Sequence, residues 1–221
     1  MTFHRPLIAT AVLALAAPAF AASGTLTFDE LDGTYYTAVG GTYEAGLGLR
    51  FSDAAVSLSI NDGLGQAYYS NAPTNAAVMV VDAGPTGVGG TAVLSSTSGL
   101  FFVDNLSFHY SASADVVGAV QLFAGANGTG ALLGSVDLTA NATSNGCTDS
   151  PYCNWSVKSL ALPVAVGSIV FSSGATDPAL GTQIAFDNVT LTTAVPEPTS
   201  VAMLLAGLLA VGTLQRRRSQ R

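Results

Sequence analysis

The sequence predicts an all-β fold of sandwich or barrel type. Short runs rich in Val, Ile, Thr, Tyr and Phe recur between turn residues, at roughly the ten-residue spacing such folds use. Apolar residues alternate with period two in Leu106, Phe108 and Tyr110, and again in Val116, Val120 and Leu122 with Gly118 as the gap. Lys and Glu, which cover the exposed faces of long helices, are scarce, and no 3.6-residue apolar stripe runs beyond two turns.

Taken in chain order, the expected strands are Thr25–Phe28, Tyr43–Phe51, Ala55–Ile60, Ala77–Val81, Leu100–Val103, Leu106–Tyr110 and Val116–Phe123. Leu132–Leu138, Trp155–Leu162, Ser168–Phe171 and Gln183–Leu191 follow. Turn residues separate them at Asp32-Gly33, Asn61-Asp62-Gly63, Gly84-Pro85, Gly89-Gly90 and Asn127-Gly128-Thr129-Gly130. No tandem repeat and no Pro-rich linker divides residues 22–194, which are expected to form one domain with a real core.

Charge is distributed unevenly. Arg5 lies near the start, and Arg216, Arg217, Arg218 and Arg221 lie at the end. Between residues 22 and 195 only Arg50 and Lys158 stand against thirteen acidic residues, which leaves −11. Such a surface repels phosphate backbones, so nucleic acid is excluded as a partner. It suits solubility outside the cell, or cation binding.

Both ends look like processing segments. In residues 1–21, His4 and Arg5 precede an apolar run from Leu7 to Ala17, and Ala19-Phe20-Ala21 offers a signal peptidase small residues where it needs them. The run is too short to cross ~30 Å of hydrocarbon as a helix, so removal after Ala21 is the expectation. Residues 195–221 contain Pro196-Glu197-Pro198, an apolar stretch from Val201 to Leu214 that is expected to be a membrane helix of marginal length, and Arg216-Arg217-Arg218 as a basic stop. The prolines disfavour helix in the residues before them and keep the motif extended. The arginines hold the far end in the cytoplasm, so the body faces the outside of the inner membrane.

This arrangement resembles the PEP-CTERM sorting signal of Gram-negative bacteria. The resemblance implies that a membrane enzyme called exosortase recognises Pro196, Glu197 and Pro198 and cuts there. The body is then released or attached to the cell envelope, the cell surface or the extracellular matrix. Three segments are also similar to the jelly-roll, carbohydrate-module-like bodies of many such proteins: Gly24–Leu31 as an opening strand, Gly125–Leu133 as a hairpin, and Ala185–Leu191 as a closing strand. The fold this implies is a two-sheet β-sandwich of jelly-roll type, in an exopolysaccharide context.

Residue types argue against catalysis. His109, between Phe108 and Tyr110, is the sole histidine after removal of the leader and reads as a half-buried strand residue with a satisfied ring. No Gly-x-Ser-x-Gly is present. A glycan hydrolase using an Asp dyad is the remaining enzymatic alternative, although the Asp residues sit mostly at turns. Cys147 and Cys153 in an exported chain read as one small disulfide loop, with a pair of free thiols as the other reading.

Two kinds of site are expected. Asp187 shares parity with Ala185, Val189 and Leu191 and so points toward an edge of the core, where a buried carboxylate needs compensation. By the jelly-roll resemblance, calcium tying the first strand to the last supplies it, with Asp29 and Glu30 as the other ligands. Otherwise Asp187 and Asn188 cap a bulge through backbone hydrogen bonds. Polysaccharide is the other candidate partner, with Tyr69 and Trp155 as the aromatics on which a sugar ring could stack.

Overall fold

A computed structural model describes residues 22–33, 35–60, 68–74, 76–82, 90–174, 184–194 and Gly207. Residues 1–21, and with them the leader, lie outside the described residues. So do Pro196, Glu197, Pro198, Arg216, Arg217 and Arg218, and the turns expected at 61–63 and 84–85.

Strands β1 (Ala22–Leu26), β2 (Tyr35–Ala38), β3 (Leu49–Phe51), β4 (Ala55–Ser59), β5 (Ala77–Val81) and β6 (Thr91–Ser96) form the first half. The second half consists of β7 (Phe101–Ala112), β8 (Val116–Phe123), β9 (Leu132–Leu138), β10 (Ser156–Val166), β11 (Ser168–Ser172) and β12 (Ile184–Ala194). One antiparallel sheet, sheet A, has the order β10-β7-β12-β5-β4-β2, with β1 also beside β12. The other, sheet B, has the order β3-β6-β11-β8-β9.

The jelly roll is contained in β5 to β12. Their two four-strand sets, β5-β12-β7-β10 and β6-β11-β8-β9, exchange the chain between sheets at every connection except the β8–β9 hairpin. The early strands β1 to β4 extend this frame at its edges.

Between the sheets, Phe108, Phe171 and Phe186 form one aromatic cluster with centroids 5.0–6.4 Å apart and tilted or edge-on rings. All three are fully buried, each contributing roughly 1.5–3 kcal/mol by leaving water. A second, smaller apolar cluster lies on the outer face of sheet A. Val56, Leu58, Val78, Val80 and Ala185 meet Tyr69, Ala72, Ala142 and Tyr152 there.

Several strands match their expected bounds, among them β5, β8 and β9. Others differ for local reasons. The single strand expected over 43–51 is instead a helical turn α1 (Glu44–Leu47) and then β3, because Gly48 adopts a left-handed conformation (φ 66°) and ends the turn. The two strands expected over 100–110 are one strand, β7, with Asp104 at φ 63°. β2 and β6 have no counterpart among the expected strands. β6 is rich in small and hydroxyl residues, and its pairing with β3 and β11 supplies what local propensity does not.

Candidate functional site

Asp187 is fully buried in β12. Its neighbour Asn188 takes φ 48°, and the β12–β7 register shifts between Asp187 and Thr190. This bulge breaks the parity read from the sequence: Asp187 stays on the outer face of sheet A beside Ala185, whereas Val189 and Leu191 turn into the main core.

Backbone and hydroxyl donors converge on the Asp187 carboxylate. The Thr74 N–H donates to Oδ2 at 3.0 Å and the Thr74 hydroxyl at 2.9 Å, while the Asn188 N–H donates to Oδ1 at 2.6 Å. Burial pushes the carboxyl up to about 6; these donors oppose the shift and the nearby Asp29 charge adds to it.

The three expected calcium ligands are not gathered into one set. Asp29 accepts the Ala77 N–H at 3.3 Å, and Glu30 accepts the Tyr43 hydroxyl at 2.9 Å. Among the described residues no group of three or more His, Cys, Asp or Glu side chains could hold a metal ion. The bulge-capping role anticipated for Asp187 and Asn188 is the arrangement present. The Thr27 carbonyl, which accepts the Thr74 hydroxyl at 3.4 Å, lies beside it.

His109 faces Asp187 across the β7–β12 ladder. It is half-buried as expected, but among the described residues its Nδ1 has no hydrogen-bond partner, and neither has Ser111 Oγ two residues on. Burial lowers the His109 pKa and favours the neutral ring.

Cys147 and Cys153 form a disulfide. The loop it closes docks on residues 68–74 and covers the outer face of sheet A. Ser70 N–H donates to the Tyr152 carbonyl at 3.1 Å, Asn71 Nδ2 to the Cys153 carbonyl at 3.2 Å, and Trp155 Nε1 to the Ser70 carbonyl at 2.9 Å.

The same lid engages both candidate stacking aromatics. Tyr69 is 2% exposed. Its hydroxyl accepts from Ile60 N–H and donates to the Ala76 carbonyl, both at 3.0 Å. Trp155 is half-buried and sits edge-on to Tyr69 with centroids 6.4 Å apart. Tyr69 offers no open face to a sugar, because it spends its apolar surface on the second cluster, against which the partly buried Trp155 packs.

Beyond Asp187 the outer face of sheet A carries a row of hydroxyl residues. Registers align Thr25, Thr190, Ser107 and Ser159 across β1, β12, β7 and β10. Thr25 and Thr190 share a hydroxyl–hydroxyl hydrogen bond of 2.9 Å, and Ser23 and Thr192 one of 3.0 Å.

Fold and chain ends together define a class: a jelly-roll sandwich whose last strand runs straight into a C-terminal segment with the marks of a sorting signal. Residues 194–219 match the PEP-CTERM protein-sorting motif. The chain is therefore an exported protein, held transiently in the membrane before an exosortase processes it. No curated protein matches the chain.

Among solved structures, the K2 cleaved adhesin domain of Lys-gingipain is similar at 17% identity, with 77% of this chain and 97% of that one covered and a TM-score of 0.47. The family 29 carbohydrate-binding module CBM29_1 from Piromyces equi is similar at 11% identity, covering 78% and 90%, with a TM-score of 0.40. Likenesses of this size assign no function.

Proposed function

We propose that this protein is a non-enzymatic component of the bacterial envelope or extracellular matrix, delivered by its sorting tail and serving a structural or adhesive role in an exopolysaccharide context. The sorting motif carries this reading: it begins at Ala194, the last residue of β12, so the address is built directly onto the body. The acidic middle and the disulfide suit life outside the cytoplasm. A signal peptidase removes residues 1–21, the body comprises 22–194, and 195–221 is the removable tail.

The decisive measurement is mass spectrometry of the mature protein recovered from its Gram-negative host. Loss of the segment after the Pro196-Glu197-Pro198 motif, with the body in the envelope or medium, is the expected result. Intact Arg216–Arg218 on soluble cytoplasmic protein would sink the proposal.

A second reading, binding of a neutral polysaccharide, is favoured by one observation: the uncharged hydroxyl row Thr25–Thr190–Ser107–Ser159 on the outer face of sheet A. Retention on polysaccharide columns that Thr190→Val and Ser107→Val weaken would support it, and no retention would end it. Turnover of glycans in the same assay, abolished by single Asp→Asn changes, would instead point to the hydrolase alternative.

Calcium belongs to the proposal in reduced form. Asp187, Asp29 and the Thr27 carbonyl are hard oxygen donors of the kind calcium takes, while Glu30 is engaged by Tyr43. An unchanged melting temperature on adding calcium or chelator would remove it.

A further inference from the structure

The two poles of the sandwich are chemically unlike. β7 runs from Phe101 at one pole to Ala112 at the other, roughly 36 Å at the usual strand rise. Ala22 pairs with Thr193, Ala194 with Phe101, and Val166 with Phe102, so β1 begins, and β10 and β12 end, at the Phe101 pole. Gly167 N–H donates to the Phe123 carbonyl at 2.8 Å, which brings the β8–β9 hairpin to the same pole. Leu49 pairs with Ser96, which brings α1 there too.

The strand ends and loops at this pole, residues 22–26, 97–103, 122–135, 163–168 and 192–194, contain no charged residue, and the nearest acid of β7 is the exposed Asp104, which pairs with Leu162. α1 adds only Glu44, whose carboxylate is paired with Arg50 at 3.1 Å. Leu132 is 53% exposed there, Val164 51% and Leu133 38%.

The opposite pole is acidic. Asp82 N–H donates to the Ala54 carbonyl beside Asp53, Asp115 and Asp137 accept from the Ala140 and Gly118 N–H groups, and Asp149 lies in the disulfide loop.

We propose that this charge-poor pole lies against the lipid surface while the tail is still embedded, with Leu132, Leu133 and Val164 entering the headgroup region. This rests on the sorting-tail reading. β12 ends at Ala194, and the apolar stretch begins at Val201. The intervening residues reach at most about 25 Å, so the Ala194 pole is the one tethered to the membrane. Charge agrees in direction with that orientation: Asp53, Asp82, Asp115, Asp137 and Asp149 at the far pole stand several Debye lengths of ~8 Å from anionic headgroups, whereas the reverse orientation presses them against those headgroups. Exposed Leu and Val beside uncharged loops gain from an apolar boundary.

The test uses the full chain, tail included, in phosphatidylcholine–phosphatidylglycerol vesicles with and without brominated acyl chains. The chain has one tryptophan, Trp155, which precedes β10 at the acidic pole and serves as the distal reporter. Leu132→Trp in a Trp155→Phe background is the proximal one, and Val164→Trp is a second proximal variant should the first fail to fold. Brominated lipid is expected to remove most of the proximal emission and leave Trp155 emission unchanged. Equal quenching of both reporters, or of neither, in a chain that floats with the vesicles overturns the orientation. Concentration-dependent cross-linking through the pole without quenching means that a second copy covers it, and also overturns it. A chain that does not float overturns the sorting-tail reading itself.

Discussion

Thr74 gives both its backbone N–H and its hydroxyl to the Asp187 carboxylate, at 3.0 and 2.9 Å, across 113 residues of sequence. A buried carboxylate beside another acid is thus held by a loop, and the loop is in turn held by the strand it caps.

The pH dependence of stability follows from that burial. The Asp187 carboxyl titrates at about 6 when folded, against an ordinary 3.8. The folded state therefore binds the proton more tightly, and its advantage is complete below about pH 4 and lost as pH rises through 6. The shift corresponds to about 3 kcal/mol. Urea unfolding with chelator present should show wild type losing stability from pH 4 to 7 relative to Asp187→Asn. Parallel curves would mean that the carboxylate is not desolvated.

Removing the Thr74 hydroxyl should matter most when Asp187 is charged. Thr74→Val is expected to cost about 1–3 kcal/mol at pH 7 and distinctly less at pH 4. Equal costs at both pH values would show that the hydroxyl serves packing alone.

Three tyrosines should resist alkali. Burial raises the phenol pKa of Tyr43, Tyr69 and Tyr152, and Glu30 reinforces it at Tyr43. The folded protein should ionise at least these three fewer than the unfolded chain in an absorbance titration, and should lose stability above about pH 10. Full titration of all seven tyrosines before unfolding would contradict it.

The disulfide should brace the lid without holding the fold together. Cys147→Ser with Cys153→Ser is expected to cost roughly 2 kcal/mol and to shift Trp155 emission to the red, because Trp155 is hydrogen-bonded to the Ser70 segment that the loop clamps. The far-ultraviolet spectrum should stay unchanged. Loss of the β signal would assign the loop a larger role than its place outside the main core allows.

Gly167 joins the two sheets where no side chain fits. A Cβ there would come within 2.5 Å of the Ala124 carbonyl oxygen and 2.7 Å of the Gly125 carbonyl carbon. Gly167→Ala is expected to lower stability by about 1–3 kcal/mol, read from the urea midpoint. A neutral substitution would show that the β8–β9 hairpin can move away.

Much of the frame was legible in residue order. The alternation around Leu106, Phe108 and Tyr110 marked β7, and Asn127-Gly128 marked the β8–β9 turn with its positive φ angles. β6 was not legible, since its Ser and Thr residues carry little strand preference and its place depends on β3 and β11. Asp187 is buried, as its place among apolar residues led one to expect, but its face was not legible, because one left-handed residue, Asn188, reverses the alternation that a linear count assumes.

Residue order alone determined that the chain is all-β and that its last 27 residues have the pattern of a sorting signal, since composition, period and motif are local properties. Only the tertiary structure decided that Tyr69 is packed away with Trp155 edge-on against it, that Thr74 is the partner of Asp187, and that the uncharged segments share one pole with Ala194. These are pairings between residues far apart in sequence. They are set by which strands the sandwich makes neighbours, and no local pattern encodes that.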